Sequence, residues 1–109
     1  MSYYFPTPDE CTHRSIFGDV RITTFAGDHL QFSFAEIPAR GVVAPHSHPN
    51  EQMGLLVSGT LEFTIGGETK IMKPGDFYRI PGGVVHAVRA FDEPVRILDV
   101  FYPIREEYR

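Results

Sequence analysis

Hydrophobic and polar positions alternate along this chain with a period of two, in short blocks. Nowhere do apolar residues hold the i, i+3, i+4, i+7 spacing of an amphipathic helix through a full block. Val20, Ile22 and Thr24 alternate with Arg21, Thr23 and Phe25. After a turn at Gly27-Asp28, Phe32 and Phe34 alternate with Gln31, Ser33 and Ala35. Side chains two apart share one face of an extended strand, so each block predicts a strand with one face inward. Residues 60–65 and 68–72 flank Gly66-Gly67, which predicts a two-residue hairpin. Lys73-Pro74-Gly75-Asp76 and Pro81-Gly82-Gly83 predict turns around a short strand over 77–80, and strands over 85–89 and 95–101 follow. Pro6 and Pro8 make the first stretch, 1–18, read as an extended arm, and 104–109 as at most a helical turn. Roughly eight closely spaced strands joined by Gly/Pro turns predict an all-β sandwich or barrel.

Composition narrows this picture. A length of 109 residues predicts one domain over 1–109. Ten Lys and Arg against fourteen Asp and Glu give a net charge of -4, and nucleic acid or an anionic membrane would call for a basic excess instead. One cysteine, Cys11, excludes an internal disulfide framework and a Cys-based zinc cluster; with no CxxC partner it reads as a bystander. The first residues lack a basic region followed by an apolar run, and no apolar run is long enough to span a bilayer. A cytoplasmic location is the resulting expectation. Nine Phe fall largely in predicted strands, and Phe32, Phe34, Phe63 and Phe77, with Met53 and Met72, are expected in the core.

The chemistry concentrates in Pro45-His46-Ser47-His48-Pro49-Asn50-Glu51-Gln52. In an extended segment His46 and His48 point to the same side, about 7 Å apart at Cβ. Two imidazoles so placed can each put a nitrogen on one metal ion at about 2.1 Å. His13 and His29 fall outside this cluster and read as surface residues. The pair is followed by Gln52, Gly54, an apolar run and Gly59, then by Gly75, Pro81, Gly83 and His86.

In these residues the chain resembles the cupin superfamily. Gly41, His46, His48, Gln52 and Gly59 match its first motif, and Gly75, Pro81, Gly83 and His86 its second, together spanning 41–90. The resemblance implies a small antiparallel jelly-roll β-barrel holding one divalent transition metal (Zn, Ni, Fe, Mn or Cu) through three histidines and a fourth side chain. Gly41 stands one residue closer to His46 than the pattern, Ala90 replaces a frequent Asn, and Gln52 occupies the position usually held by Glu. Strand parity and spacing favour Gln52 over its neighbour Glu51 as the fourth ligand. Such a site has no carboxylate to offset the cation, so it would draw an anionic substrate more strongly.

The closing segment, 95–109, adds a second feature. Asp99 shares a strand face with Ile97 and Phe101, while Leu98 and Val100 share the other. One phase points a carboxylate into an apolar wall, where it must be paired, near a metal, or reactive; the other leaves Asp99 in solvent. Pattern alone does not choose. Asp-Val-Phe, then Pro, then Arg-Glu-Glu-Tyr, together with His-Ser-His-Pro-Asn-Glu-Gln, is similar to the small KdgF-type cupins of pectin and alginate degradation. That resemblance implies an enzyme opening the ring of 4,5-unsaturated monouronates to linear 5-keto-4-deoxyuronate. It makes Asp99 the candidate acid or base, Arg105 the partner of the uronate carboxylate and Phe101 a packing surface for the ring. Arg40, Arg79 and Arg89 are further candidates to reach an anion. Alternative readings are a cupin metal-dependent dioxygenase and a non-catalytic sugar-sensing cupin. The aromatic arm (Tyr3, Tyr4, Phe5) and open sheet edges lead us to expect a homodimer.

Overall fold

The structure is a computed structural model and describes residues 2–109. Among the described residues, ten antiparallel strands form two sheets. The strands are β1 (Thr12–Ile16), β2 (Val20–Ala26), β3 (Gln31–Ile37), β4 (Val42–His46), β5 (Glu51–Ser58), β6 (Leu61–Ile65), β7 (Glu68–Met72), β8 (Phe77–Ile80), β9 (His86–Ala90) and β10 (Val95–Tyr102). The six-stranded sheet runs β1-β2-β3-β10-β5-β8, and the four-stranded sheet β4-β9-β6-β7. One buried apolar cluster draws on both, with Val20, Ile22, Leu56 and Ile97 from the first and Val43, Leu61, Phe63 and Val88 from the second. Among the described residues, no helix is long and apolar enough to cross a membrane.

Local chemistry accounts for most elements. Gly66 and Gly67 both take positive φ (56° and 83°), which a two-residue turn between β6 and β7 requires. Phe17 and Gly18, also at positive φ (49° and 88°), turn the chain from β1 into β2. The arm is therefore shorter than its prolines suggest: after a 3₁₀ turn at Pro8–Glu10, residues 12–16 pair with β2 as an edge strand. The tail does form one 3₁₀ turn, Glu106–Tyr108.

Two expectations about the core need correction. Phe63 and Met72 are buried, but Phe32, Phe34, Met53 and Phe77 lie on the other face of the six-stranded sheet. In β3 the inward set is Gln31, Ser33, Ala35 and Ile37, and the aromatic set points out. The reason lies in what β3 faces: Ser33, Ala35 and Ile37 line the cavity described next, and Gln31 hydrogen-bonds the backbone of Arg105.

Candidate metal centre

β4 ends at His46, which is registered opposite His86 at the start of β9. The chain then turns through His48 into β5, where Gln52 is registered opposite Phe101 of β10. The Pro81-Gly82-Gly83 turn closes against this loop: the Gly83 N–H donates to the His48 carbonyl at 2.8 Å, and a side chain at Gly82 would run into the Pro49 carbonyl. Three histidines from distant parts of the chain thus converge. Their rings lie 4.3 Å (His46–His86), 5.0 Å (His48–His86) and 5.9 Å (His46–His48) apart between centroids. One nitrogen from each lies within 4.8 Å of the others. Two ligands facing each other across an ion at about 2.1 Å are ~4.2 Å apart, so small ring rotations suffice to close on one ion.

The tautomers suit that task. Each Nδ1 sits against a backbone carbonyl: His46 on Ala44 at 2.9 Å, His48 on Asn50 at 3.0 Å and His86 on Val84 at 2.9 Å. Donating there leaves each Nε2 with its lone pair directed inward, the usual outer-shell arrangement of metal-binding histidines. Gln52 Oε1, an acceptor, then lies 3.0 Å from His48 Nε2, another acceptor. A cation between them resolves that conflict. Buried His86 Nε2 has no partner at all. Burial lowers the pKa of His86 to about 4, and burial with the nearby Arg105 charge lowers that of His48. His86 therefore remains neutral well into mild acid, and the shift of His48 runs in the same direction; a metal-binding imidazole must be neutral. Gln52 is buried among these groups, whereas Glu51 points to solvent.

Across the cavity stands Asp99. The register of β10 with β3 and β5 turns Val95, Ile97, Asp99 and Phe101 inward, which settles the phase the sequence left open. Asp99 lies opposite Gly54, and Gly54 opposite Tyr78 of β8. A Cβ at Gly54 would overlap the Tyr78 hydroxyl and come within 2.6 Å of Asp99 Oδ1, so both side chains occupy the space that glycine vacates. Burial raises the Asp99 pKa from 3.8 to about 7, with Gln52 and Arg105 pulling the other way.

Arg105 completes the wall. Its guanidinium lies 4.0 Å from the Tyr108 ring centroid and 5.2 Å from that of Phe101. The Glu107 carboxylate is 3.4 Å from Arg105 Nε but makes no aligned hydrogen bond to it. Two amides fix the tail that carries Arg105. Gln31 accepts from the Arg105 N–H at 3.0 Å and donates to the Arg105 carbonyl at 3.2 Å, and Asn50 donates to the Pro103 carbonyl at 2.7 Å. Since the Asn50 carbonyl also receives His48, this residue links the tail to the histidine loop. Among the described residues, the three buried side-chain atoms without a hydrogen-bond partner are His86 Nε2, Asp99 Oδ1 and Arg105 Nε. All three residues line one small cavity, about 60 Å³, together with His46, Gln52 and Phe101.

Other candidates fall elsewhere. Arg40 pairs with Asp92 and Arg89 with Glu62 on the surface, Arg79 is exposed on β8, and none lines the cavity. His13 and His29 are exposed, and Cys11 is an unpaired thiol in the arm. Sequence patterning did not single out Gln31, Asn50, Tyr78, Phe17 or Tyr108. Phe17, at the β1–β2 turn, places its ring 5.0 Å from that of His46. For Gly54 a signal exists, since a glycine interrupting an apolar strand marks a close approach.

Residues 33–101 match the model of the cupin domain family, and the chain belongs to that family. Within it the chain is a small cupin resembling KdgF. It is 32% identical over 72 residues to the pectin degradation protein KdgF of Dickeya dadantii, spanning 64% of this chain and 66% of that one. It is 30% identical over 94 residues to the H2HPP isomerase of Bacillus subtilis, spanning 84% of this chain but only 40% of that one. The chain thus spans about two thirds and two fifths of these relatives. Among solved structures, KdgF from Halomonas sp. superposes with a TM-score of 0.83 at 24% identity, covering 94% of this chain and 96% of that one. An RmlC-like cupin from Shewanella frigidimarina gives 0.88 at 20% identity, covering 99% and 97%. The last two establish the fold alone.

Proposed function

We propose that this cupin is an isomerase that opens the ring of 4,5-unsaturated monouronates to linear 5-keto-4-deoxyuronate. The observation that carries the reading is the meeting of three buried polar atoms that make no hydrogen bond, on His86, Asp99 and Arg105, in one histidine-lined cavity. In this reading the two sheets are the halves of a jelly-roll barrel, with His46, His48, His86 and Gln52 as ligands of one divalent metal ion. When bound, that ion supplies Lewis-acid polarisation of the ring oxygen.

The chain's own residues do the rest. Arg105 receives the substrate carboxylate, and Phe101 offers its ring as a packing surface. Asp99, with a pKa near neutrality, takes the C1 hydroxyl proton on Oδ1 as the C1–O5 bond breaks and C1 becomes an aldehyde. The electrons left on O5 form the C5 carbonyl as C4 accepts a proton, which Asp99 returns. One proton moves from O1 to C4, and the reaction needs no co-reactant. Oxygen activation or simple sugar binding would leave the buried Asp99 without a task. The KdgF likeness and the isomerase named among the relatives also favour the isomerase.

The test follows loss of the C4=C5 ultraviolet absorbance of freshly made lyase product. Metal-loaded protein should accelerate that loss over buffer, chelator should abolish the acceleration, and Asp99→Asn should abolish it with metal content unchanged. A rate equal to buffer rules the function out, and an active Asp99→Asn rules out the proton transfer.

A further inference from the structure

Buried Asn50 touches both halves of the site through different atoms. Its backbone carbonyl lies 3.0 Å from His48 Nδ1, and its side-chain amide donates to the Pro103 carbonyl at 2.7 Å. Pro103 stands two residues before Arg105. The other side-chain hydrogen bonds that hold the tail, residues 103–109, to the sheets come from Arg14, Thr24 and Gln31 on β1, β2 and β3. Among the described residues, Asn50 is therefore the one side chain that hydrogen-bonds the tail to the loop carrying a candidate ligand histidine.

His48 gives this link two settings. Its Nδ1 faces the Asn50 carbonyl and its Nε2 faces Gln52 Oε1, each at 3.0 Å. A neutral imidazole carries one N–H, so it serves one of these two oxygens at a time. With the hydrogen on Nε2, the ring donates to Gln52 and turns the Nδ1 lone pair toward the Asn50 carbonyl, which it repels. With the hydrogen on Nδ1, the ring holds that carbonyl. A divalent ion on Nε2 admits only the second setting, because a ligating nitrogen cannot keep its hydrogen.

We propose that Asn50 is a positioning residue through which metal occupancy of the histidines holds the segment carrying Arg105. The proposal rests on the metal reading of His48 given above. With Nε2 committed to an ion, His48 donates from Nδ1 and fixes the Asn50 carbonyl. The short Asn50 side chain leaves the same Cα, so it keeps its reach to Pro103. With the hydrogen on Nε2 the carbonyl is released, and the bond to Pro103 loosens with it. Arg105 is thus set for an incoming carboxylate only once the metal is in place. The coupling runs both ways: an ordered tail returns to the ion, as affinity, whatever the ion spends in ordering it.

Backbone amide hydrogen exchange and imidazole nitrogen NMR of the whole chain test the proposal, under chelator and then with zinc, at about pH 8 where histidine is neutral. In the wild type, zinc should slow exchange of the Arg105 and Tyr108 amides at least about fivefold and move the His48 hydrogen from Nε2 to Nδ1. Asn50→Ala should exchange those amides at the zinc-free rate whether or not zinc is bound. Asn50→Asp, of the same shape but with no amide donor, should behave alike. A merely structural Asn50 would instead speed exchange equally with and without zinc, and that result overturns the proposal. So does a His48 hydrogen already on Nδ1 under chelator. Zinc that raises Tm without slowing those amides overturns the coupling and leaves the metal site standing; zinc that does not bind overturns both. No readout involves a uronate, so the proposed reaction stands or falls separately.

Discussion

A carboxyl group without water around it keeps its proton, and Asp99 is in that position: a neighbouring amide and guanidinium offset only part of the burial. The sign of the consequence follows from its pKa of about 7 in the folded chain against 3.8 when exposed. A raised folded pKa contributes stability that is complete below pH 4 and is lost as pH rises through 7. Three units correspond to up to about 4 kcal/mol. In metal-free protein, Asp99→Asn should therefore gain on the wild type between pH 4 and pH 8, by up to about 4 kcal/mol, in denaturant titrations under chelator. A difference that stays constant with pH would mean that Asp99 titrates as an ordinary carboxylate. His86 runs the other way: its depressed pKa leaves folding unaffected above 6.5 and costs stability progressively as pH falls from 6.5 to about 4. The same burial that prepares Asp99 to exchange a proton near neutrality thus keeps His86 unprotonated there.

At the scale of elements, β10 and its tail show what the sequence made legible. The His-x-His pair, the second motif and the Gly66-Gly67 hairpin could be read because each is local: a few adjacent residues carry the whole signal. Whether Asp99 faces in or out was not readable, because both faces of β10 hold apolar residues. Only its register with β3 and β5 decides. β3 misleads for a related reason. Burial of aromatics assigns its Phe face to the core, yet a polar residue, Gln31, is the one needed inside to hold the tail. Long-range pairing of this kind leaves no periodicity to detect. Gln31→Met keeps the volume and removes both hydrogen bonds to the Arg105 backbone, at a cost of about 1–3 kcal/mol. Because those bonds fix the segment carrying Arg105, the proposed function predicts that KM for a 4,5-unsaturated monouronate rises more than kcat falls. A drop in kcat alone, with KM unchanged, would detach Arg105 from substrate binding.

Across the whole molecule, the site spans the two sheets. His46 and His86 belong to the four-stranded sheet, and Gln52, Asp99 and Phe101 to the six-stranded one. An ion held by both groups would tie the sheets together, at a point where the chain otherwise leaves buried polar atoms unpartnered. Binding to the folded state alone stabilises by mass action, about 2.7 kcal/mol at a hundredfold excess over Kd. For a domain of this size each kcal/mol moves Tm by about 4 °C or more. Adding zinc, nickel or manganese in turn to chelated protein should raise Tm by roughly 10 °C for any ion that binds. His86→Ala should abolish that rise, since it removes a proposed ligand on the four-stranded sheet while leaving His48 and Gln52 in place. Glu51→Ala should not, because that side chain faces solvent. If His86→Ala keeps the full rise, the ion is bound elsewhere and the sheets are held by their apolar core alone. If Glu51→Ala abolishes it, the carboxylate beside Gln52 is the ligand after all, and the strand must twist on metal binding to bring it inward.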